Sequence, residues 1–193
     1  IGDRKGEGAT LNNISQIYDA KGDYDTALRY LEQSLAIQQQ IGDRKGEGAT
    51  LNNISQIYSA KGDYDTALRY LEQSSDIQQQ IGDRQGEGAT LNNLATTAYA
   101  KGDYDTALRY LEQSLTIQQQ IGDINGMAVT LTNMGAMLFE QNRYEEAIPL
   151  LIQAYSVFQK VGSPNVQAAN SYLGAIIKRI GEAKFQEILS KLG

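Results

Sequence analysis

The side chains that could do chemistry in this 193-residue chain are few, and the partners they would need are missing. There is no His and no Cys. A serine or threonine nucleophile would have no imidazole to take its proton, no thiolate is available, and no Cys/His zinc site can form. Carboxylate pairs recur as Asp23/Asp25, Asp63/Asp65 and Asp103/Asp105. That spacing could serve acid–base chemistry, or a calcium loop. The Asp-Tyr-Asp string lacks the later ligands and closing Glu of a calcium loop. Helix capping explains it better: the first Asp caps a helix, and the second puts negative charge in its first turn. The glycine-rich run at 42–50, GDRKGEGAT, resembles a phosphate loop only superficially, because it lacks the Gly-Lys-Ser/Thr ending and follows no strand. The sequence therefore assigns no catalytic residue, no metal ligand and no cofactor, and points away from an enzyme.

The charge balance narrows the partners. Lys and Arg number 17 against 23 Asp and Glu, a formal charge of −6. Phosphate-backbone binding needs a clustered basic face, so nucleic acid is not an expected partner. No segment approaches the roughly 18 apolar residues of a membrane span, and no signal peptide is visible. A Cys-free chain without a signal suits the cytoplasm. The first residue is Ile1 rather than Met, which suggests a piece of a longer protein.

What must position any functional side chain is a repeat of 40 residues. Residues 1–40 recur at 41–80 with three differences, at 81–120 with eight, and at 121–160 with 12 of 40 positions kept and no gap. Residues 161–193 form a shorter remnant and a C-terminal cap. Translation of this kind is what a stack requires, where each unit covers its neighbour's apolar face. The expected organisation is a single solenoid over 1–193.

Each repeat reads as two helices, placed at 44–61 and 64–81 in the second copy. Leu51, Ile54, Ile57 and Tyr58, then Ala67, Leu68, Leu71, Ser74 and Ile77, hold the helical period. Asp43 and Asp63 are expected N-caps, and Gly62 and Gly82 expected left-handed stops. The short turns make the helices antiparallel neighbours. Gly46 and Gly48 fall in a first turn, where each costs about 1 kcal/mol relative to Ala; close helix approach is the expected return. Pro149 falls inside a predicted helix, where it removes a hydrogen bond.

The residues Leu51, Ile54, Ser55, Tyr58, Gly62, Tyr64, Ala67, Leu71 and Ser74 resemble the signature of the tetratricopeptide repeat. Gln79 stands where that family usually has proline, and the period is 40 rather than about 34. The longer form is similar to Pins/LGN-type and kinesin light-chain repeats. The resemblance implies an all-α solenoid of antiparallel helix pairs, a right-handed superhelix with first helices lining a concave groove. It also implies a protein-interaction scaffold that holds a peptide segment there.

On a first helix, Lys45, Ala49, Asn52, Gln56 and Ser59 share one face, which the family's geometry would turn toward the groove. The expected peptide contacts are accordingly the amide ladder Asn12, Asn52 and Asn92, with Thr132 in the fourth copy, then Gln16, Gln56 and Thr96. Lys5 and Lys45 are added at one end. Tyr99 and Phe139 make the groove more aromatic toward the C-terminus. The ladder is expected to stand exposed, so that its replacement by Ala would leave the helices intact. The plainer alternative is that these are only solvated polar residues. A second ladder, Asn13, Asn53, Asn93 and Asn133, is expected to be structural, bonding to backbone between repeats. In related repeats neighbouring Asn residues hold a terminal carboxylate with Lys and Arg, but Gln85 and Asn125 replace Lys here, so that specificity is not carried over.

At the C-terminus, residues 182–192 are expected to cap the stack with Phe185, Ile188, Leu189 and Leu192 turned inward. No equivalent cap is visible at the start, so a homo-oligomer through the uncapped first repeat is a further expected partner. A structural array or spacer associating end to end remains the alternative to a peptide receptor.

Overall fold

The computed structural model describes residues 2–191. Ile1 and Leu192, expected at the start of a repeat and in the cap, lie outside the described residues. Ten helices follow in order: α1 Arg4–Ala20, α2 Tyr24–Ile41, α3 Arg44–Ala60, α4 Tyr64–Ile81, α5 Arg84–Lys101, α6 Tyr104–Ile121, α7 Ile124–Glu140, α8 Tyr144–Val161, α9 Val166–Ile180 and α10 Glu182–Ser190. The described residues contain no strand. None of these helices is long and apolar enough to cross a membrane. The second repeat's helices fall within a residue of their expected ends.

The dipeptide Gly42–Asp43 shows how the sequence sets the period. Gly42 adopts φ 70°, and the Asp43 N–H returns to the Gln38 carbonyl at 2.9 Å, closing α2 in a Schellman turn. Asp43 then starts α3, its carboxylate accepting from the Gly46 N–H at 3.1 Å. One residue thus ends a helix and caps the next. The same pair recurs at Gly82–Asp83. Asn142 takes the left-handed position, at φ 59°, where the preceding copy has Gly102. Its short polar side chain makes it the usual non-glycine choice there.

The helices gather into two compact units, Ile1–Ala107 and Leu108–Gly193, with the division inside α6. In the first, α1 pairs with α2 and α3 with α4, while α2 packs on α3 and α4 on α5. Ala27, Leu31, Ile54 and Ile57 form one buried cluster across the first two repeats, flanked by Tyr18, Tyr24, Leu28, Leu35, Tyr58 and Tyr70. Burying each Leu or Ile contributes about 1.5–3 kcal/mol. In the second unit α7 pairs with α8, and α8, α9 and α10 follow in turn. Phe185 and Ile188 of α10 are buried with Leu138, Phe139, Ile148, Leu151 and Ile176, so this helix covers the last pair as its apolar spacing predicts. Pro149 is accommodated inside an unbroken α8. Gly135 lets α7 and α8 approach: a Cβ there would lie 2.6 Å from Leu151 Cγ.

Gly46 and Gly48 serve other ends than the expected close approach of two helices. A Cβ on Gly48 would meet Ile77 Cγ2 and Ser74 Oγ at 3.6 Å, an ordinary contact. A Cβ on Gly46 would meet Asp43 Oδ2 at 2.9 Å, the carboxylate that caps the helix. Urea unfolding is therefore expected to separate the two: Gly48→Ala gains about 0.5–1 kcal/mol. Gly46→Ala gains nothing, because displacing a cap worth about 1 kcal/mol offsets the helix preference. Equal gains at both sites would sink this account.

Asp83 supplies a second test. The Gly86 N–H, and after it the Lys45 ammonium, hold the Asp83 carboxyl below the usual carboxylate range. A lowered folded value stabilises fully above the unfolded value of about 3.9, and that contribution is lost as pH falls through the lower folded value. Asp83→Asn keeps a capping oxygen but not the charge. Wild type should exceed this variant in stability at neutral pH, and the gap should close on acidification from about pH 4 to pH 2. A gap unchanged by acid would exclude the electrostatic part.

Candidate functional site

The first unit's first helices are held together by a polar network centred on the Asn ladder. Asn12 Nδ2 donates to Ser34 Oγ at 3.2 Å and to Thr50 Oγ1 at 2.6 Å. Ser34 donates to the Gly8 carbonyl at 2.8 Å, and Thr50 donates to Gln38 Oε1 at 2.7 Å. One amide thereby joins α1, α2 and α3. Asn52 repeats the pattern one unit on, with Ser74 at 2.9 Å and Thr90 at 2.7 Å. Ser34, Ser74, Thr50 and Thr90 are all fully buried, so losing the donor leaves their oxygens without water.

These positions correct the expected exposure of the ladder. Asn12, Asn52 and Asn92 are half-buried, and their amides sit at the junction between helices. The periodicity places Asn52 beside Lys45 and Gln56 on one face, but the next repeat's Thr90 leans over it. The second ladder lies nearer the surface. Asn53 Nδ2 donates to Asn12 Oδ1 at 3.1 Å, and Asn93 Nδ2 to Asn52 Oδ1 at 3.1 Å. The bond crosses repeats, as expected, but its acceptor is a side chain and not backbone. Among the described residues, the carbonyl oxygen of each of Asn53 and Asn93 has no partner, so this ladder is anchored on one side and open on the other.

Between α3 and α5 this arrangement leaves two depressions. The larger, about 360 Å³, is lined by Lys45, Ala49, Asn52, Asn53, Gln85, Ala89 and Asn93. The other, about 210 Å³, is lined by Ser55, Gln56, Ser59, Asn93 and Thr96. Asn93 belongs to both. The five residues expected along one face of α3 thus all border the trough, with Gln56 and Thr96 exposed. In the first repeat Gln16 and Asn13 are exposed on α1. The cations are not idle in the trough: Lys45 Nζ lies 3.0 Å from Asp83 Oδ2, and Lys5 Nζ 3.6 Å from Asp43 Oδ2. Each is matched by the next repeat's cap, which leaves the lining close to neutral. The sequence signal for this pairing is the 38-residue separation of Lys45 and Asp83, one period less two.

The aromatic expectations fare differently. Tyr99 is half-buried with its ring 4.9 Å from that of Tyr104, at the turn into α6. In the second unit Phe139 is 6% exposed and belongs to the core, packed on Tyr144 and Tyr172 with the Arg179 guanidinium 4.5 Å from its ring centroid. It is not a surface contact: the last repeat covers the position that Asp19 and Ser59 hold earlier. Thr132 is also buried, its hydroxyl on the Ala128 carbonyl at 2.8 Å, and Asn133 is half-buried. Among the described residues no group of three or more acidic, His or Cys side chains gathers as a metal site would require.

The two ladders should differ in stability measurements. Asn52→Ala strands Ser74 and Thr90 and is expected to cost about 1–3 kcal/mol. Asn53→Ala removes one half-exposed bond and is expected to cost less than about 1 kcal/mol. Equal losses in paired thermal or urea melts would contradict the assignment of the tether to the first ladder.

Comparison with known proteins places the chain by sequence and by shape. Models of the tetratricopeptide repeat match residues 46–120, and again residues 8–41 and 127–161. No curated protein matches the chain in sequence. A kinesin light chain-like protein from Podosopora anserina, with nearly identical TPR-like repeats, superposes with TM-score 0.74 at 22% identity, over 98% of this chain and 94% of that one. BtubC (BKLC) from P. vanneervenii gives TM-score 0.71 at 20% identity, over 84% and 67%. Aspartyl phosphate phosphatase F from Bacillus subtilis gives TM-score 0.84 at 12% identity, over 99% of this chain but only 49% of its own length. At these identities the likeness is one of fold. With the repeat models matching most of its length and stacked helix pairs in both units, the chain belongs to the tetratricopeptide repeat family.

Proposed function

We propose that this chain is a non-catalytic protein-interaction scaffold that binds a peptide segment of a partner protein along the α3/α5 trough. The observation that carries this reading is the anchored ladder. Asn53 and Asn93 each spend one N–H on the oxygen of the neighbouring repeat's Asn, which orients the carboxamide before any ligand arrives. The carbonyl oxygen and second N–H then match the donor and acceptor of a peptide backbone. Preorientation reduces the entropy lost on binding.

The trough reads main chain in preference to charge. Lys45 is neutralised by Asp83, and Gln85 follows where a Lys stands in the first two copies. Gln56, Ser59 and Thr96 add neutral hydrogen-bonding groups beyond Asn93. Side-chain selection then comes from the size of the depressions over Ala49 and Ala89, where small residues leave room. The binding needs no cofactor. Asn12, Asn52 and Asn92 contribute by holding the second ladder in place. Gln16, Asn13 and Lys5 extend the same chemistry along α1.

The test is a pull-down from a proteome-derived peptide library at physiological salt, using wild type and the Asn53→Ala/Asn93→Ala double variant. Peptides enriched by wild type should bind the variant about tenfold more weakly, the equivalent of one or two net hydrogen bonds. Arg69→Ala, on exposed α4 surface, should leave binding unchanged. Absence of enrichment, or enrichment that the double variant leaves intact, would remove the trough as the receptor.

A further inference from the structure

The first two copies differ at three positions, and one of these, Asp19 against Ser59, lies on a first helix. The others, Leu35/Ser75 and Ala36/Asp76, lie on second helices. Along the trough the two copies are otherwise the same: Lys5, Asn12 and Gln16 recur as Lys45, Asn52 and Gln56. A ligand held only by such groups meets the same partners again when it slides by one repeat. The residue at 19 or 59 is what tells the two registers apart. Ser59 shows what this position does. It has a repeat on either side, is half-buried, and lines the smaller depression with Gln56, Asn93 and Thr96. Asp19 takes the corresponding place on α1 and is also half-buried; there the equivalents of Asn93 and Thr96 are Asn53 and Gln56. Because Ser59 borders the trough with both neighbours present, access to this position does not depend on what precedes α1.

Over α3 and α5 the trough is close to neutral, and Asp19 is the exception. Among the described residues its carboxylate has no partner. The lysines of the first two repeats are engaged elsewhere: Lys5 with Asp43, Lys45 with Asp83, and Lys61 with Asp25 at 2.9 Å. Lys21 lies over the Tyr18 ring, 5.5 Å from its centroid. The placement of Asp19 also runs against the helix. Because α1 ends at Ala20, Asp19 puts an anion at the carbonyl end of the helix dipole, where a cation is preferred. Ser59 carries no such cost. The one trough position that differs between the two copies therefore holds an unpaired carboxylate that the helix itself disfavours.

We propose that the peptide held in the trough carries a basic side chain, Lys or Arg, that pairs with Asp19 and fixes the register of the ligand over the first repeat. The inference rests on the peptide reading above and adds what the ligand must contain. A charge-assisted hydrogen bond to a carboxylate is stronger than the neutral amide bonds along the rest of the trough. One repeat out of register, the same cation meets Ser59 and loses the ion pair. An acidic side chain at that point of the ligand is repelled, so a single residue selects both the composition and the placement of the peptide.

The probe is a random peptide library panned on the wild-type chain, with the enriched peptides then titrated by fluorescence anisotropy. Those peptides should share a Lys or Arg toward one end. Asp19→Ser, which copies the residue of the second repeat, should weaken them about fivefold. Changing the shared Lys or Arg to Gln should weaken binding to wild type by the same factor and binding to Asp19→Ser hardly at all, as a direct pair requires. The difference should shrink as salt rises. Adding Ser59→Asp to Asp19→Ser should recover part of the loss, because the cation then finds its partner one repeat along; no recovery overturns the register-setting role. Asp19→Ser should melt no lower than wild type, since it removes an anion from a helix C-terminus, which separates lost pairing from lost folding. Peptides that share no basic residue, or that Asn53→Ala/Asn93→Ala weakens and Asp19→Ser does not, overturn this inference and leave the trough standing as a receptor. A library that yields no binding peptide overturns both readings.

Discussion

One half-buried carboxamide per repeat holds the first unit's helices in register. Asn12 bonds within α1's own pair through Ser34 and across to the next repeat through Thr50. Its oxygen then receives the second ladder through Asn53. Apolar packing alone would let one helix slide on another, because the hydrophobic effect is non-directional. A hydrogen bond among fully buried oxygens has one acceptable geometry, and missing it leaves a desolvated group unpaired. The tether therefore fixes the spacing of the surface amides as well as that of the core. Gln78 Oε1, buried without a partner, marks where the repeated pattern fits less well at the following junction.

The same economy of residues governs the helix ends. Asp43 and Asp83 each donate a closing N–H to a carbonyl of the preceding turn, cap a helix and face the Lys one repeat back. Structural need thus neutralises the cations that would otherwise colour the trough. A surface made from helix-capping carboxylates and amides has little net charge to offer, even though the chain carries −6 overall. In the proposed function, recognition rests on hydrogen bonding and on the space above Ala49 and Ala89.

The repeats are nearly identical in sequence but not in environment. Ile17 and Ile57 belong to the same string, and one is open while the other is sealed. Phe139 and Asp19 occupy corresponding positions, and one is core while the other is half-exposed. Position along the repeats, and not residue type, separates a sealed surface from an open one.

Much of the fold was legible from the sequence. The 40-residue period, the Gly–Asp stops and starts, the 3.6-residue apolar spacing and the amphipathic tail each express a local rule: left-handed glycine, side-chain capping, helical periodicity. Such rules act within one or two turns of chain, so they can be read without knowing the neighbours. The site was less legible. The sequence put Asn12, Asn52 and Asn92 on the face shared with Lys45 and Gln56, and α3 does border the trough along that line. Whether a residue on that face is open or sealed depends on residues 38 positions away, such as Thr50 over Asn12 and Thr90 over Asn52. Helical spacing fixes the direction of a side chain to about a third of a turn, whereas exposure turns on an ångström or two of cover from the next helix. Only the tertiary packing decides that, because it alone brings the second helix and the next repeat to the amide.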